Sequence, residues 1–268
     1  MPRLQRSLLG ALPVVAAVLL VAVPGSAPAA VDQGEPVAAR LQYVALGDSF
    51  SSGEGLDDYD RSATCRRDSD AYPALYAARR PKVKLFFLAC SGAKVDDVRA
   101  KQLGPLNATT QFVSMTIGGN DVGFSKLAKD CVVGGCGTGI KAAELRIRKL
   151  GPKLDALYAE IKRRAPKARV VVLGYPQLFG PAGCGGTRGI QVPEQRRLNG
   201  LVDLLANVTG AATIRAKVNA IDVRKEFQGH AVCEKEWIRG LSRDVDETFH
   251  PKAAGHLAYY AKLRSFAP

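Results

Sequence analysis

Five short apolar segments, separated by helix-length stretches, constrain this chain's fold more than any other feature. Leu41 to Leu46, Val83 to Leu88, Phe112 to Ile117, Arg169 to Leu173 and about Val218 to Val223 have the length and composition of buried strands. Between them, Tyr72 to Arg79 reads as a helix that Pro81 prevents from continuing. Ala142 to Arg164 reads as a long amphipathic stretch kinked at Gly151-Pro152, and another helix starts near Glu194. The final helix is expected to open at Pro251, a residue suited to a first helical turn. Strands alternating with helices imply an α/β protein whose parallel sheet is covered on both faces. Ligands bind beyond the carboxyl ends of such strands. The residues that directly follow each strand are therefore where chemistry is expected.

The first 30 residues have a different character. Arg3 and Arg6 precede the apolar run Leu8 to Pro24, and Ser26-Ala27-Pro28-Ala29-Ala30 supplies small residues. That order is the pattern of a cleaved secretory signal. A membrane anchor is the rival reading, but Gly10, Pro13, Pro24 and Gly25 interrupt the run, which is short beside the roughly 20 residues a spanning helix needs. Cleavage near Ala29 or Ala30 leaves residues 31–268, enough for one compact domain and tight for two. No linker, low-complexity tract or repeat divides them, and a monomer is expected.

The formal net charge is +13, or +11 once Arg3 and Arg6 leave with the signal. Much of the excess lies on expected helix faces, at Arg146, Arg148, Lys149 and Lys153, then Lys162, Arg163, Arg164 and Lys167. Such a face is either simply solvated or an attraction to anionic phospholipid and acidic envelope polymers. Nucleic acid is not expected, because these stretches carry no interleaved aromatics and no recognised motif. Six cysteines in an exported chain suggest three disulfides, which sequence arithmetic alone leaves among 15 pairings. Cys131 and Cys136 are near enough to close a small loop, with Cys65, Cys90, Cys184 and Cys233 stapling longer segments. A metal site is disfavoured, since no pair shows C-x-x-C spacing and none sits near a histidine in a ligand-like pattern.

Three strands end in unusual chemistry. After the first comes Gly47-Asp48-Ser49-Phe50, which holds a serine at the rim of the sheet. A serine is a weak nucleophile until a base takes its proton, and the chain has three histidines. His256 falls inside the last helix as a packing or surface residue, and His230 lies close to Cys233, fixed beside a disulfide. His250, in a loop and locked by Pro251, is the best-aimed base. After the second strand, Ser91-Gly92-Ala93 offers an N–H that a substrate oxygen can approach closely. After the third, Gly118-Gly119-Asn120-Asp121 offers the Asn120 amide. Donors of this kind stabilise the oxyanion of ester cleavage. Each feature alone has a bland explanation as a turn or cap; their coincidence at three successive strand ends does not.

Taken together, the four blocks Gly47-Asp48-Ser49-Phe50, Ser91-Gly92-Ala93, Gly118-Gly119-Asn120-Asp121 and His250-Pro251 resemble the GDSL esterases and lipases of the SGNH hydrolase superfamily. Phe50 stands where the family name has Leu. The chain is most similar to secreted actinobacterial lipases and esterases, through residues 43–49, 116–121, Leu173-Gly174-Tyr175-Pro176, and Gly229-His230 with Cys233 and Trp237. The resemblance implies a three-layer α/β/α sandwich of flavodoxin type with a central sheet of about five strands. It implies Ser49 as nucleophile, His250 as base, and an oxyanion hole of the Ser49 and Gly92 amides with the Asn120 side chain. It also implies disulfides Cys65–Cys90, Cys131–Cys136 and Cys184–Cys233, with neither metal nor organic cofactor.

Many members place Asp three residues before the histidine, whereas this chain has Glu247. Either that carboxylate or a main-chain carbonyl is expected to orient His250, with Asp244 and Asp246 as weaker stand-ins. The expected partner is a lipid or other acyl ester. Phospholipase A or polysaccharide deacetylase action on the same site are the alternatives, and a thioesterase or peptidase using the same dyad is a further enzymatic rival. The non-enzymatic rival is a catalytically dead protein that binds the cell envelope. Acyl preference would be set by a rim of loops at 131–140 and 175–192, the latter rich in glycine (Gly180, Gly183, Gly185, Gly186, Gly189).

Overall fold

A computed structural model describes residues 40–268, apart from 125, 128, 129, 132–135 and 186–189. The expected signal at 1–30, with Gly186 and Gly189 of the expected rim, lies outside the described residues. Among the described residues no helix is long and apolar enough to cross a membrane.

The five expected strands form one parallel sheet. They are β1 (Leu41–Gly47), β2 (Val83–Phe87), β3 (Phe112–Thr116), β4 (Arg169–Leu173) and β5 (Asn219–Ile221), in the spatial order β2-β1-β3-β4-β5. This is the doubly wound flavodoxin-like order, in which crossover helices cover both faces. Helix Tyr72–Ala78 packs with the C-terminal helix Ala253–Phe266, while Gly137–Arg148 and Gly151–Arg164 pack with the long helix Val192–Ala216. β1 is buried from Tyr43 onward, which accounts for its unbroken apolar run. Tyr43 stacks on Phe112 and meets Tyr76 edge-on, and its buried hydroxyl is satisfied by Ser114 Oγ at 2.6 Å.

Local signals explain most boundaries. Helix Val192–Ala216 starts at a Gln191/Glu194 capping box with Pro193 in its first turn. The amphipathic stretch is two helices, because Lys149 and Leu150 break it and Pro152 opens the second. One expectation is corrected. The last helix begins at Ala253, and Pro251 instead pairs with Ile238 in an isolated antiparallel bridge. Pairing across the chain overrides proline's suitability for a first helical turn there. Much of the expected cationic face is internally paired, Arg148 with Glu144, Lys153 with Asp96, and Arg164 with Glu160.

Register brings the informative strand ends together. Gly47 sits opposite Thr116, so the segments leaving β1 and β3 emerge side by side. Beyond the end of β2, Cys90 N–H still donates to Gly47 O at 3.0 Å. That bond carries Ser91 and Gly92 to the same rim.

Candidate active site

The turn after β1 demands glycine at its first position. Gly47 has φ +117°, and a Cβ there would lie 2.4 Å from Thr116 O. Gln102 clamps both of its main-chain groups, accepting from Gly47 N–H at 2.7 Å and donating to its carbonyl at 2.9 Å. Asp48 then caps a single helical turn, Ser49–Ser52, by accepting from Phe50 N–H at 3.1 Å. Ser51 Oγ ties this turn to β3, accepting from Thr116 N–H at 2.8 Å. Ser49 is thus held at the first position of a turn anchored on two strands.

His250 Nε2 lies 2.7 Å from Ser49 Oγ, although 201 residues separate the two. The histidine is buried, with Phe50's ring 5.2 Å away. Its backbone is set by Arg239, whose N–H donates to His250 O at 2.8 Å and whose carbonyl accepts from Phe249 N–H at 2.9 Å. Burial lowers its pKa to about 4, partly offset by backbone groups of Glu247 and Thr248. The ring is therefore neutral at pH 7, as a general base requires.

The third block is braced by its neighbours. Asn120 Nδ2 donates to Ala93 O at 3.1 Å, and Asp121 accepts from Val95 N–H at 3.0 Å. Both bonds join it to the segment that carries Gly92. Gly92 has φ +78° and open space where a Cβ would stand, so its main chain is unobstructed. A cavity of about 420 Å³ begins at Gly92 and is walled by the Cys65–Cys90 disulfide, Leu88, Ala93, Arg67 and Lys101.

Cysteines pair as Cys65–Cys90, Cys131–Cys136 and Cys184–Cys233. The first is part of the site's frame, since Ser91 N–H donates to Cys65 O at 3.0 Å. His256 is a core residue whose Nδ1 accepts from Tyr72 N–H at 3.3 Å, and His230 stacks flat on Trp237 at 3.5 Å. Among the described residues no group of His, Cys, Asp and Glu could hold a metal ion.

The carboxylate of Glu247 is not on the histidine. It accepts from Tyr59 OH at 2.7 Å and lies 3.7 Å from Arg239 and 3.8 Å from Arg66. Arg66 also holds Asp244 at 2.8 Å and faces Asp246 at 3.7 Å. Among the described residues His250 Nδ1 has no hydrogen bond of good geometry, and the backbone groups of Asp246, Glu247 and Thr248 are what favour a proton on the ring.

Two residues at the site escaped sequence reasoning. Tyr175 OH donates to Asp48 Oδ2 and accepts from Gly119 N–H at 2.9 Å, joining the first and third blocks. Burial raises Asp48 to about 7, with the Tyr175 and Phe50 bonds opposing the shift. Glu54, 2% exposed, accepts from Ser91 Oγ and sits 3.6 Å from His250 Nε2. Its only signal was an acid between two glycines, Gly53 and Gly55.

Comparison with known proteins follows the same lines. Residues 45–258 match the model of the GDSL-like lipase/acylhydrolase family. A lipase from Streptomyces rimosus is 39% identical over 241 residues, covering 86% of this chain and 89% of that protein. The crystal structure of an extracellular lipase from that organism has a TM-score of 0.81 at 38% identity, over 85% of this chain and 100% of that one. A phospholipase A1 from Streptomyces albidoflavus gives the same TM-score, identity and coverage.

Proposed function

From the premise that this chain belongs to the GDSL-like lipase/acylhydrolase family, we propose that it hydrolyses carboxylic esters through an acyl intermediate on Ser49. The observation that carries this reading is the 2.7 Å approach of His250 Nε2 to Ser49 Oγ. His250 takes the hydroxyl proton as Ser49 attacks the ester carbonyl. The oxyanion is received by the Ser49 and Gly92 N–H groups and the Asn120 amide. The protonated ring then gives its proton to the departing alcohol. Water, activated by the same nitrogen, releases the acid. Main-chain carbonyls just before the histidine orient its ring, because Glu247 is engaged by Tyr59. The chain acts outside the cell as one domain from about residue 31, after loss of its leader. Its three disulfides and its likeness to an extracellular lipase support that reading.

Lipid esters are the first substrate reading. Phospholipid is the second, favoured by equal likeness to a phospholipase A1. The test is covalent labelling by a fluorophosphonate probe together with turnover of p-nitrophenyl butyrate. Wild type is labelled and active, and Ser49→Ala loses both while keeping its thermal midpoint. Full turnover by Ser49→Ala would end the proposal, and absence of labelling in wild type would favour a dead binding protein.

A further inference from the structure

Burial makes His250 a reluctant proton acceptor, yet the proposed reaction requires it to carry a full positive charge between attack and alcohol departure. The backbone carbonyls near Nδ1 offset only part of that cost. Some group must favour the charged ring, and among the described residues no carboxylate stands at Nδ1 to do so. One does stand at the other nitrogen.

We infer that Glu54 is a positioning residue of this reaction, its carboxylate held between the Ser91-Gly92 turn and His250 Nε2 so that it stabilises the imidazolium formed when Ser49 loses its proton. This rests on the ester-hydrolase reading and deepens it.

The geometry divides the carboxylate's two oxygens between two tasks. Oε2 accepts from Ser91 Oγ and is 3.6 Å from His250 Nε2. Oε1 lies 3.3 Å from Arg66 Nε. The backbone fixes the side chain from below, since Glu54 N–H donates to Ser49 O at 3.1 Å. The next residue, Gly55, keeps the main chain close against the histidine, since a Cβ there would lie 3.0 Å from His250 Cβ. Glu54 therefore bonds to the nucleophile's main chain, to the block carrying an oxyanion donor, and approaches the base.

A plain ion pair with Arg66 is an insufficient account of this arrangement. Arg66 is shared with Asp244 at 2.8 Å, Asp246 at 3.7 Å and Glu247 at 3.8 Å. Arg239 is likewise committed, to Asp57 at 2.6 Å and Glu247 at 3.7 Å. Arg66 itself disfavours a cation on the His250 ring, so a carboxylate close to Nε2 has that charge as well as the burial to offset. The proton balance is simple. Ser49 Oγ–H passes to Nε2, the ring becomes positive beside an ionised Glu54, and the alcohol oxygen takes the proton away, leaving Glu54 unchanged.

Two groups this close titrate as a pair, so the acid side of the activity profile belongs to both. Burial pushes Glu54 up to about 7, opposed by the Ser91 hydrogen bond and by Arg66. Two substitutions then move the profile in opposite directions. Glu54→Gln removes the negative charge and leaves His250 alone, so the ring holds a proton less readily. Ser91→Ala removes a hydrogen bond that favours the ionised carboxylate, so the pair holds its proton more readily.

The experiment is kcat/KM for p-nitrophenyl butyrate from pH 3.5 to 9 with purified wild type, Glu54→Gln, Ser91→Ala and Ser49→Ala. Fluorophosphonate labelling confirms an intact Ser49 in the first three. Glu54→Gln is expected to lose about tenfold or more at the alkaline plateau while its acid limb moves down by about one pH unit, the order of shift a neighbouring charge produces. Ser91→Ala is expected to move the limb up. An acid limb unmoved in Glu54→Gln overturns the inference whatever the plateau does, because loss of packing alone lowers the rate without moving the limb. If Glu54→Gln does not fold, an unmoved limb in Ser91→Ala overturns it instead. Activity in Ser49→Ala would sink the hydrolase reading itself, a distinct outcome.

Discussion

The hydroxyl of Tyr175 donates to the carboxylate of Asp48, one residue before Ser49, and the same oxygen accepts the Gly119 N–H. One phenol thereby sets the spacing between the turn that carries the serine and the loop that carries Asn120. The bond spans 127 residues of sequence.

Tyr175→Phe keeps the ring's edge-on contact with Phe50 and removes only this link. It is expected to lower kcat about tenfold, the value of one hydrogen bond to an ionisable group, and to leave KM nearly unchanged. Steady-state kinetics on a soluble ester would check it; a change confined to KM would show that the tyrosine contacts substrate instead.

Asn120→Ala removes a donor proposed for the oxyanion. A loss of about 10²-fold in kcat is expected, in line with deletions of single oxyanion donors elsewhere. Because Asn120 Nδ2 also donates to Ala93 O, circular dichroism should accompany the kinetics to show that the loop has kept its fold.

Glu247→Ala is expected to cost less than about tenfold in kcat/KM, well short of the roughly 10²–10⁴-fold contributed by a positioned acid–base group. Its carboxylate serves Tyr59 rather than His250 Nδ1. Tyr59→Phe should mimic the variant. A loss of several hundred-fold in Glu247→Ala would return the carboxylate to the role that its place in the sequence suggested.

His256 gives the fold a dependence on acid. Burial lowers its pKa from 6.5 to about 3, so the folded state favours the neutral ring. The resulting stability is present above pH 6.5 and is lost as pH falls toward 3. His250 acts with the same sign. Asp48 and Glu54, both raised to about 7, act with the opposite one and lose their contribution as pH rises. His256→Gln should therefore show a smaller drop in thermal midpoint between pH 7 and 4.5 than wild type, measured by calorimetry. An unchanged difference would contradict the assignment.

Strand positions and the four blocks were legible because their causes are local. Buried parallel strands are short apolar runs, and the glycine that ends β1 is required by a contact with the paired strand's carbonyl. Ser49, Gly92 and Asn120 could be singled out as candidates simply by reading past strand ends. What could not be read depends on distant partners. Glu54 meets Ser91 37 residues away, and nothing in its neighbours along the chain announces that contact. Pro251 looks like a helix start until Ile238 is brought beside it. Glu247 has the right offset from the histidine, but Tyr59, 188 residues earlier, claims its carboxylate.

The strand order has a practical corollary. The proposed nucleophile and both proposed oxyanion blocks hang from three adjacent strands at the centre and one side of the sheet, while the proposed base arrives from the last twenty residues. No contiguous piece of the polypeptide holds a working set. Turnover should consequently vanish in step with the cooperative melting of the whole sheet, which makes a simple colorimetric assay a faithful gauge of how many molecules in a sample are intact.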